Sequence, residues 1–202
     1  MIKTFTYTHV DVPGYQDFAK SIYNRVPKSF YNQKHGFWML PQELLVAVPG
    51  FKQAIEKFGK WENLEQIALI VNHPNRTLDE FPIHTDLANL APLALNLPVH
   101  NCHDPNIYTA FYQPIRELAK DEINFGSTTD AKLYAVYPEQ LMQEVDRYYL
   151  TKPVIMNTLH PHTVINPTQQ LRLALTIRWV DDCLQEWLAN NNFEIDKIKQ
   201  HK

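Results

Sequence analysis

The sequence predicts a mainly β protein with flanking helices, an antiparallel barrel or jelly roll buttressed at its N-terminal end. Three observations carry this. Apolar residues recur at helical spacing through the first third of the 202-residue chain, whereas alternating and continuous apolar runs dominate residues 65–180. Aromatic residues reach 12%, with ten Tyr and ten Phe, a composition suited to strand-built interiors. Fourteen prolines against five glycines imply stiff loops between short strands. No repeat or composition break divides the chain, so one domain is expected over residues 1–202. Residues 1–64 form a mostly helical buttress, 65–180 the barrel, and 181–202 a C-terminal helix and tail.

Taken in order, Ile2 to Thr6 reads as a short strand. Asp17 to Val26 places Phe18, Ile22 and Tyr23 on one helical face. Pro41 to Phe58 continues with Leu44, Leu45, Val48, Phe51, Ile55 and Phe58, and Pro49-Gly50 splits it into two short helices. Strand signals follow at Gln66 to Val71, Leu93 to Val99 and Tyr108 to Tyr112. The polar stretch from Arg116 to Lys132 reads as irregular. Strands resume at Pro153 to Thr158 and Thr163 to Ile165. Arg172 to Trp179 alternates most cleanly, with Arg172, Ala174, Thr176 and Arg178 opposite Leu173, Leu175 and Ile177. Asp181 to Leu188 closes the chain as a capped helix with Cys183, Leu184, Trp187 and Leu188 on its apolar side.

Bulk composition narrows the function classes. A formal net charge of −3 leaves no broad basic field for nucleic acid or anionic membrane. Two cysteines without metal-motif spacing fit a reducing compartment. No apolar run has signal-peptide or membrane-spanning length, so a cytoplasmic location is expected. Oligomeric state is not readable.

The chemistry concentrates in His84-Thr85-Asp86, the segment Asn157 to Asn166, and Arg172. On an extended segment residues i and i+2 point the same way, so His84 and Asp86 reach one ion while Thr85 faces elsewhere. Taken alone, the tripeptide equally suits a surface loop with an Asp cap. His160 and His162 both offer a third ligand. His162 is preferred because it begins an apolar run, and because an antiparallel return would bring Arg172 beside it. His160 then flanks the site or lies at the surface. Two imidazoles and one carboxylate form the facial ligand set of non-haem Fe(II) sites, which leaves coordination positions open. Arg172 on a barrel face needs an anion, and a ligand carboxylate supplies one; a protein carboxylate is the alternative. Arg178, about 20 Å further along the strand, reads as an exit or surface residue. His100, Cys102 and His103 split between two strand faces and read as ordinary strand-end residues.

At PIHTD, ALNLPV followed by NC, KPVIMNT, PHTVIN and RLALTIRW the chain resembles the aspartyl/asparaginyl β-hydroxylase-like branch of the 2-oxoglutarate/Fe(II)-dependent oxygenases, including its small phage and bacterial members. The likeness covers roughly residues 80–180. It implies a double-stranded β-helix, a jelly-roll or cupin-like barrel. It further implies Fe(II) on His84, Asp86 and His162, with 2-oxoglutarate and O2 as co-substrates and Arg172 on the distal carboxylate. Hydroxylation of an unactivated C–H in an amino acid, peptide side chain or small metabolite would follow, with succinate and CO2 as co-products. In some relatives a second basic residue helps hold the co-substrate from the Leu93 to Val99 strand, but here Leu93, Ala94 and Leu95 stand there, and Asn96 or Tyr112 is left to complete the pocket. The separation of His84 from His162 exceeds that of compact relatives, and the excess, Arg116 to Lys132, is expected to form a mobile flap over the substrate. Asp86 disfavours halogenation, which needs a small residue at that position. Two further readings stay open: a non-catalytic cupin-like metal-binding or sensor domain, and a β-sandwich interaction module with incidental histidines.

Overall fold

The computed structural model describes residues 5–29, 36–75, 78, 81–86, 91–127, 133–191 and 193. Twelve strands and four α-helices are described, and the strands form two six-stranded sheets with antiparallel pairing throughout. The first sheet holds β1 (Tyr7–His9), β2 (Phe37–Met39), β3 (Leu64–Asn72), β5 (Leu93–His100), β10 (Val154–Asn157) and β12 (Arg172–Trp179). Its spatial order is β1-β10-β5-β12-β3-β2. The second holds β4 (His84–Thr85), β6 (Tyr108–Pro114), β7 (Asn124–Ser127), β8 (Leu133–Val136), β9 (Met142–Tyr148) and β11 (His162–Ile165), in the order β7-β8-β4-β11-β6-β9.

The main core lies between the outer face of the first sheet and the helices α1 (Tyr15–Arg25), α2 (Gln42–Val46), α3 (Phe51–Ile55) and α4 (Cys183–Asn190). Leu173, Leu175, Ile177 and Trp179 of β12 join Leu69, Leu95, Ile22, Leu45, Phe51 and Ile55 there. Burying such side chains contributes about 1.5–3 kcal/mol each, and this makes β12 the central rail of the molecule. The opposite residues of β12 face the second sheet, where Ala174 packs with Phe111, Tyr148, Val154 and Met156. Gly50 enters α3 at φ +74°, a left-handed conformation that a side chain would strain. The expected break at Pro49-Gly50 follows from it.

Several sequence expectations need correction. β1 begins at Tyr7, past the expected Ile2 to Thr6 strand, whose first three residues lie outside the described residues. The first 64 residues also contribute two edge strands beside their three helices. The Arg116 to Lys132 stretch is not irregular throughout: Lys120–Glu122 forms a 3-10 turn and Asn124–Ser127 is β7, which pairs with β8 and, through it, extends the sheet beside His84. Residues 128–132 lie outside the described residues. α4 starts later than expected, at Cys183; Asp182 makes no side-chain cap bond, while Asp181 Oδ1 accepts the Cys183 backbone N–H at 3.3 Å. Most consequential is β11, which does not return onto β12. It belongs to the second sheet, paired with β4 and β6, and the chain then crosses to the first sheet to form β12.

Asn166 manages that crossover. Fully buried, its amide nitrogen donates to the carbonyls of Asn72, His73 and Gln170 at 3.2, 3.0 and 2.9 Å. Its Oδ1 accepts from the Thr168 backbone N–H and hydroxyl at 3.2 and 2.8 Å. One side chain therefore ties the 166–171 turn to the end of β3, supplying partners that irregular backbone otherwise lacks.

Candidate metal centre

β4 and β11 are short neighbours, and their pairing sets His84 directly opposite His162. The two rings sit 4.6 Å apart between centroids, both buried. Phe81 packs edge-on against His84 at 4.7 Å and Phe111 lies 6.1 Å from His162. Asp86 follows β4 by one residue, its backbone N–H donating to the Thr158 carbonyl at 2.9 Å. That anchor turns its carboxylate toward the imidazoles: Asp86 Oδ1 is 3.5 Å from His84 Nε2 and 3.9 Å from His162 Nε2. Ligand-type atoms of the three residues all lie within 4.8 Å of one another, the one such group among the described residues.

The outer ring nitrogens fix what this cluster can bind. His84 Nδ1 lies 2.9 Å from the Pro82 carbonyl and His162 Nδ1 lies 2.9 Å from the His160 carbonyl. A carbonyl only accepts, so each Nδ1 carries the proton and donates it. In the neutral tautomer each Nε2 then turns a lone pair toward a carboxylate oxygen that also has only lone pairs to offer. Three acceptors converging on one point require a cation between them, a proton or a metal ion. Carbonyl-held imidazoles plus one carboxylate form the donor set and outer support of a metal site. Burial drives the His162 imidazole down to about 4, with His84 adding to the effect and Asp86 opposing it. That keeps the ring neutral, the form that ligates. Burial works to raise the Asp86 carboxyl, but Arg178 together with His84 and His162 outweighs it and holds the group below the usual carboxylate range.

Arg178 is the residue that the sequence reading misplaced. It is buried, 3% exposed, and its Nη2 donates to Asp86 Oδ2. Its Nη1 donates to the Ala91 carbonyl and the Thr158 hydroxyl, each at 3.1 Å. Alternation along β12 put it on the inward face, which was the available signal. Its separation from Arg172 was the wrong yardstick, because the triad hangs from the other sheet and lies over the Arg178 end of the strand.

Arg172 is also buried at 3% and inward-facing, and its Nη1 donates to Asn72 Oδ1 at 2.5 Å. A side-chain amide thus takes one of its donors, not a protein carboxylate. Asn96 lies across from Thr176 on the same face, with Nδ2 3.4 Å from the Tyr148 hydroxyl. Burial raises the Tyr148 phenol, against a lowering influence from Arg172. Two buried amide atoms here, Asn72 Nδ2 and Asn96 Oδ1, have no hydrogen-bond partner among the described residues. Tyr112, by contrast, packs with Ile83, Ala110 and Met142, apart from this polar group. His160 sits edge-on to Phe111 at 5.6 Å and lends its carbonyl, not its ring, to His162. His100 closes β5 stacked on Tyr23 at 4.3 Å, and Cys102 is buried against the Leu173 carbonyl.

No protein-family model matches the chain, and no curated protein matches it. Among solved structures it is similar to AviO1 from Streptomyces viridochromogenes Tue57, at 14% identity and TM-score 0.45, over 89% of this chain and 91% of that one. It is similar to a Pseudomonas putida prolyl-4-hydroxylase at 13% identity and TM-score 0.40, over 87% and 88%. A third likeness is to the non-heme alpha ketoglutarate dependent carbocyclase SnoK from nogalamycin biosynthesis, at 12% identity and TM-score 0.43, over 87% and 80%. At such scores these likenesses decide nothing about chemistry, which rests on the residues themselves.

Proposed function

We propose that the chain is a non-haem Fe(II)- and 2-oxoglutarate-dependent dioxygenase that hydroxylates an unactivated C–H. The observation that carries this is the convergence of His84 Nε2, His162 Nε2 and Asp86 Oδ1 with both Nδ1 protons committed to carbonyls. Bound there, Fe(II) with 2-oxoglutarate and O2 would supply the oxidising power, with succinate and CO2 as co-products. The sheet orders support the finer reading of a double-stranded β-helix: β3-β12-β5-β10 faces β4-β11-β6-β9, two interleaved four-stranded layers, with β1, β2, β7 and β8 added at the edges.

In this reading the chain's own residues divide the work. His84, Asp86 and His162 hold the ion on one face and leave the rest of its coordination sphere to ligands. Arg172 holds the distal carboxylate of the co-substrate, with Asn72 Nδ2 as a further donor beside it. Asn96 contributes once its amide is turned, so that Oδ1 accepts from the Tyr148 hydroxyl and Nδ2 faces the anion. Amide oxygen and nitrogen are interchangeable by shape. The substrate is an amino acid, a peptide side chain or a small metabolite.

The test is anaerobic addition of Fe(II) and then 2-oxoglutarate, watching for the visible charge-transfer band of the chelate. The band is expected from the wild type and lost in Asp86→Ala and His162→Ala. Arg172→Ala should raise the 2-oxoglutarate requirement while iron stays bound. A metal-binding module without a dicarboxylate co-substrate is the second reading, and the bond from Arg172 to Asn72 favours it. That reading gains if Fe(II) binds and no band develops from well-folded protein.

A further inference from the structure

Arg178 and Asp86 come from different sheets, yet they make the one described ion pair between an arginine and a member of the histidine–carboxylate cluster. The carboxylate's two oxygens are used asymmetrically. Oδ2 accepts from Arg178 Nη2, while Oδ1 lies 3.5 and 3.9 Å from the two imidazole Nε2 atoms. Arg178 is itself held on the other side, its Nη1 donating to the Ala91 carbonyl and the Thr158 hydroxyl. Thr158 closes the circuit, because its carbonyl accepts the Asp86 backbone N–H at 2.9 Å and its hydroxyl donates to the Pro92 carbonyl at 3.1 Å. Backbone and carboxylate of Asp86 are thus referred to one rigid frame at the ends of β5, β10 and β12.

We propose that Arg178 is a positioning residue that takes Asp86 Oδ2 and thereby presents Oδ1 alone to the metal ion. This rests on the metal-site reading above and assigns a role that His-x-Asp plus a distant His does not contain. An untethered carboxylate turns about its Cβ–Cγ bond and chelates through both oxygens, which consumes a second coordination position. A carboxylate with one oxygen engaged by a guanidinium stays single-toothed, so the ion keeps three positions for other ligands. The guanidinium suits this task better than an ammonium. Its planar fork reaches Asp86, Thr158 and Ala91 at once, which a point charge does not. Its charge also offsets that of Asp86 when no metal is bound, and burying the carboxylate unpaired would be costly.

The probe is Co(II), titrated anaerobically into metal-free wild type, Arg178→Gln, Arg178→Lys and Thr158→Val. Affinity is read by calorimetry and coordination by the visible d–d absorption. Loss of a residue that orients a metal ligand typically lowers affinity roughly 10- to 100-fold, and that loss is expected for Arg178→Gln. Its d–d band should change in position and shape as the freed carboxylate chelates and displaces another ligand. Lys should restore part of the affinity but not the wild-type spectrum. Thr158→Val, which removes one anchor of the guanidinium without touching Asp86, should shift both readouts in the same direction by a smaller factor. If Arg178→Gln does not fold, Arg178→Lys and Thr158→Val decide the matter. Wild-type affinity and spectrum in the folded variants would overturn the role of Arg178 and leave the metal site standing. Absence of Co(II) binding in the wild type would instead overturn the site itself.

Discussion

Lowering the pH should destabilise the metal-free protein through His162, and the size of the effect is set by its burial. The ring is 6% exposed, and burial first, then His84, take its pKa from the ordinary 6.5 down to about 4, against the pull of Asp86. An unfolded chain therefore takes up a proton on this imidazole below 6.5 that the folded chain refuses until about 4. The stabilisation is complete above the higher value and is lost as pH falls toward the lower one. At about pH 4.5 the linkage amounts to roughly 2–3 kcal/mol, a large share of a typical domain's stability. Asp86 contributes with the same sign but mainly lower, because its folded pKa is depressed and its stabilisation disappears only as pH drops through the carboxylate range. His160, His9 and His100 are also lowered, chiefly by burial, so the total pH dependence does not isolate one ring. A difference does. Urea unfolding of wild type and His162→Gln, in chelator at about pH 7.5 and about pH 4.5, should show the variant losing roughly 2–3 kcal/mol less between the two conditions. Equal losses would refute the assignment of a neutral, buried His162.

Two further predictions concern the frame around the site. Gly59→Ala places a Cβ 2.7 Å from Trp179 Nε1 and into Cys183 Sγ. Overpacking of that kind costs about 1–3 kcal/mol, measurable as a lowered melting temperature, and Cys183→Ala in the same chain should return part of it. Asn166→Ala removes the amide that serves three buried or partly buried carbonyls at the crossover. A loss of at least about 2 kcal/mol is expected in denaturant unfolding. A smaller loss would mean that water serves those carbonyls equally well.

What the sequence made legible follows the physics of each element. β12 appears with its predicted bounds, Arg172–Trp179, because its two faces meet different surroundings: apolar helices on one side, the opposing sheet on the other. β3 and β5 are buried on both faces and therefore read as continuous apolar runs. β9 was illegible because it is an edge strand whose residues Gln143 to Val145 and Arg147 are exposed, leaving no alternation to detect. β2 and β4 are too short to show a period at all. Within the site, the pairing of His84 with His162 reflects a contact between strands 78 residues apart in number, which no local signal carries. The spacing from His162 to Arg172 pointed to a hairpin, yet the chain leaves one sheet for the other between them. Sequence neighbours need not be partners when two sheets share one interior.

That crossing explains why the metal centre has an arginine at all. Every candidate ligand belongs to the second sheet or the loop just beyond it, whereas both buried arginines stand on β12 of the first. The two layers are clasped at one edge by the Thr6 hydroxyl donating to Asp146 at 2.6 Å and by Tyr7 stacked on Phe111 at 6.1 Å. Inside, Phe111, Tyr148 and Met156 of the apolar filling set their separation. Toward the β4 side the contact between layers is ionic instead, Arg178 to Asp86. Apolar packing is indifferent to small rotations, but a forked, charged contact is directional. Placing the directional contact at Asp86 registers the ligand-bearing sheet against the arginine-bearing one at the atom where coordination geometry matters. A substitution that loosens the Thr6 clasp should therefore cost stability without altering the metal spectrum, whereas one at Arg178 should alter the spectrum first.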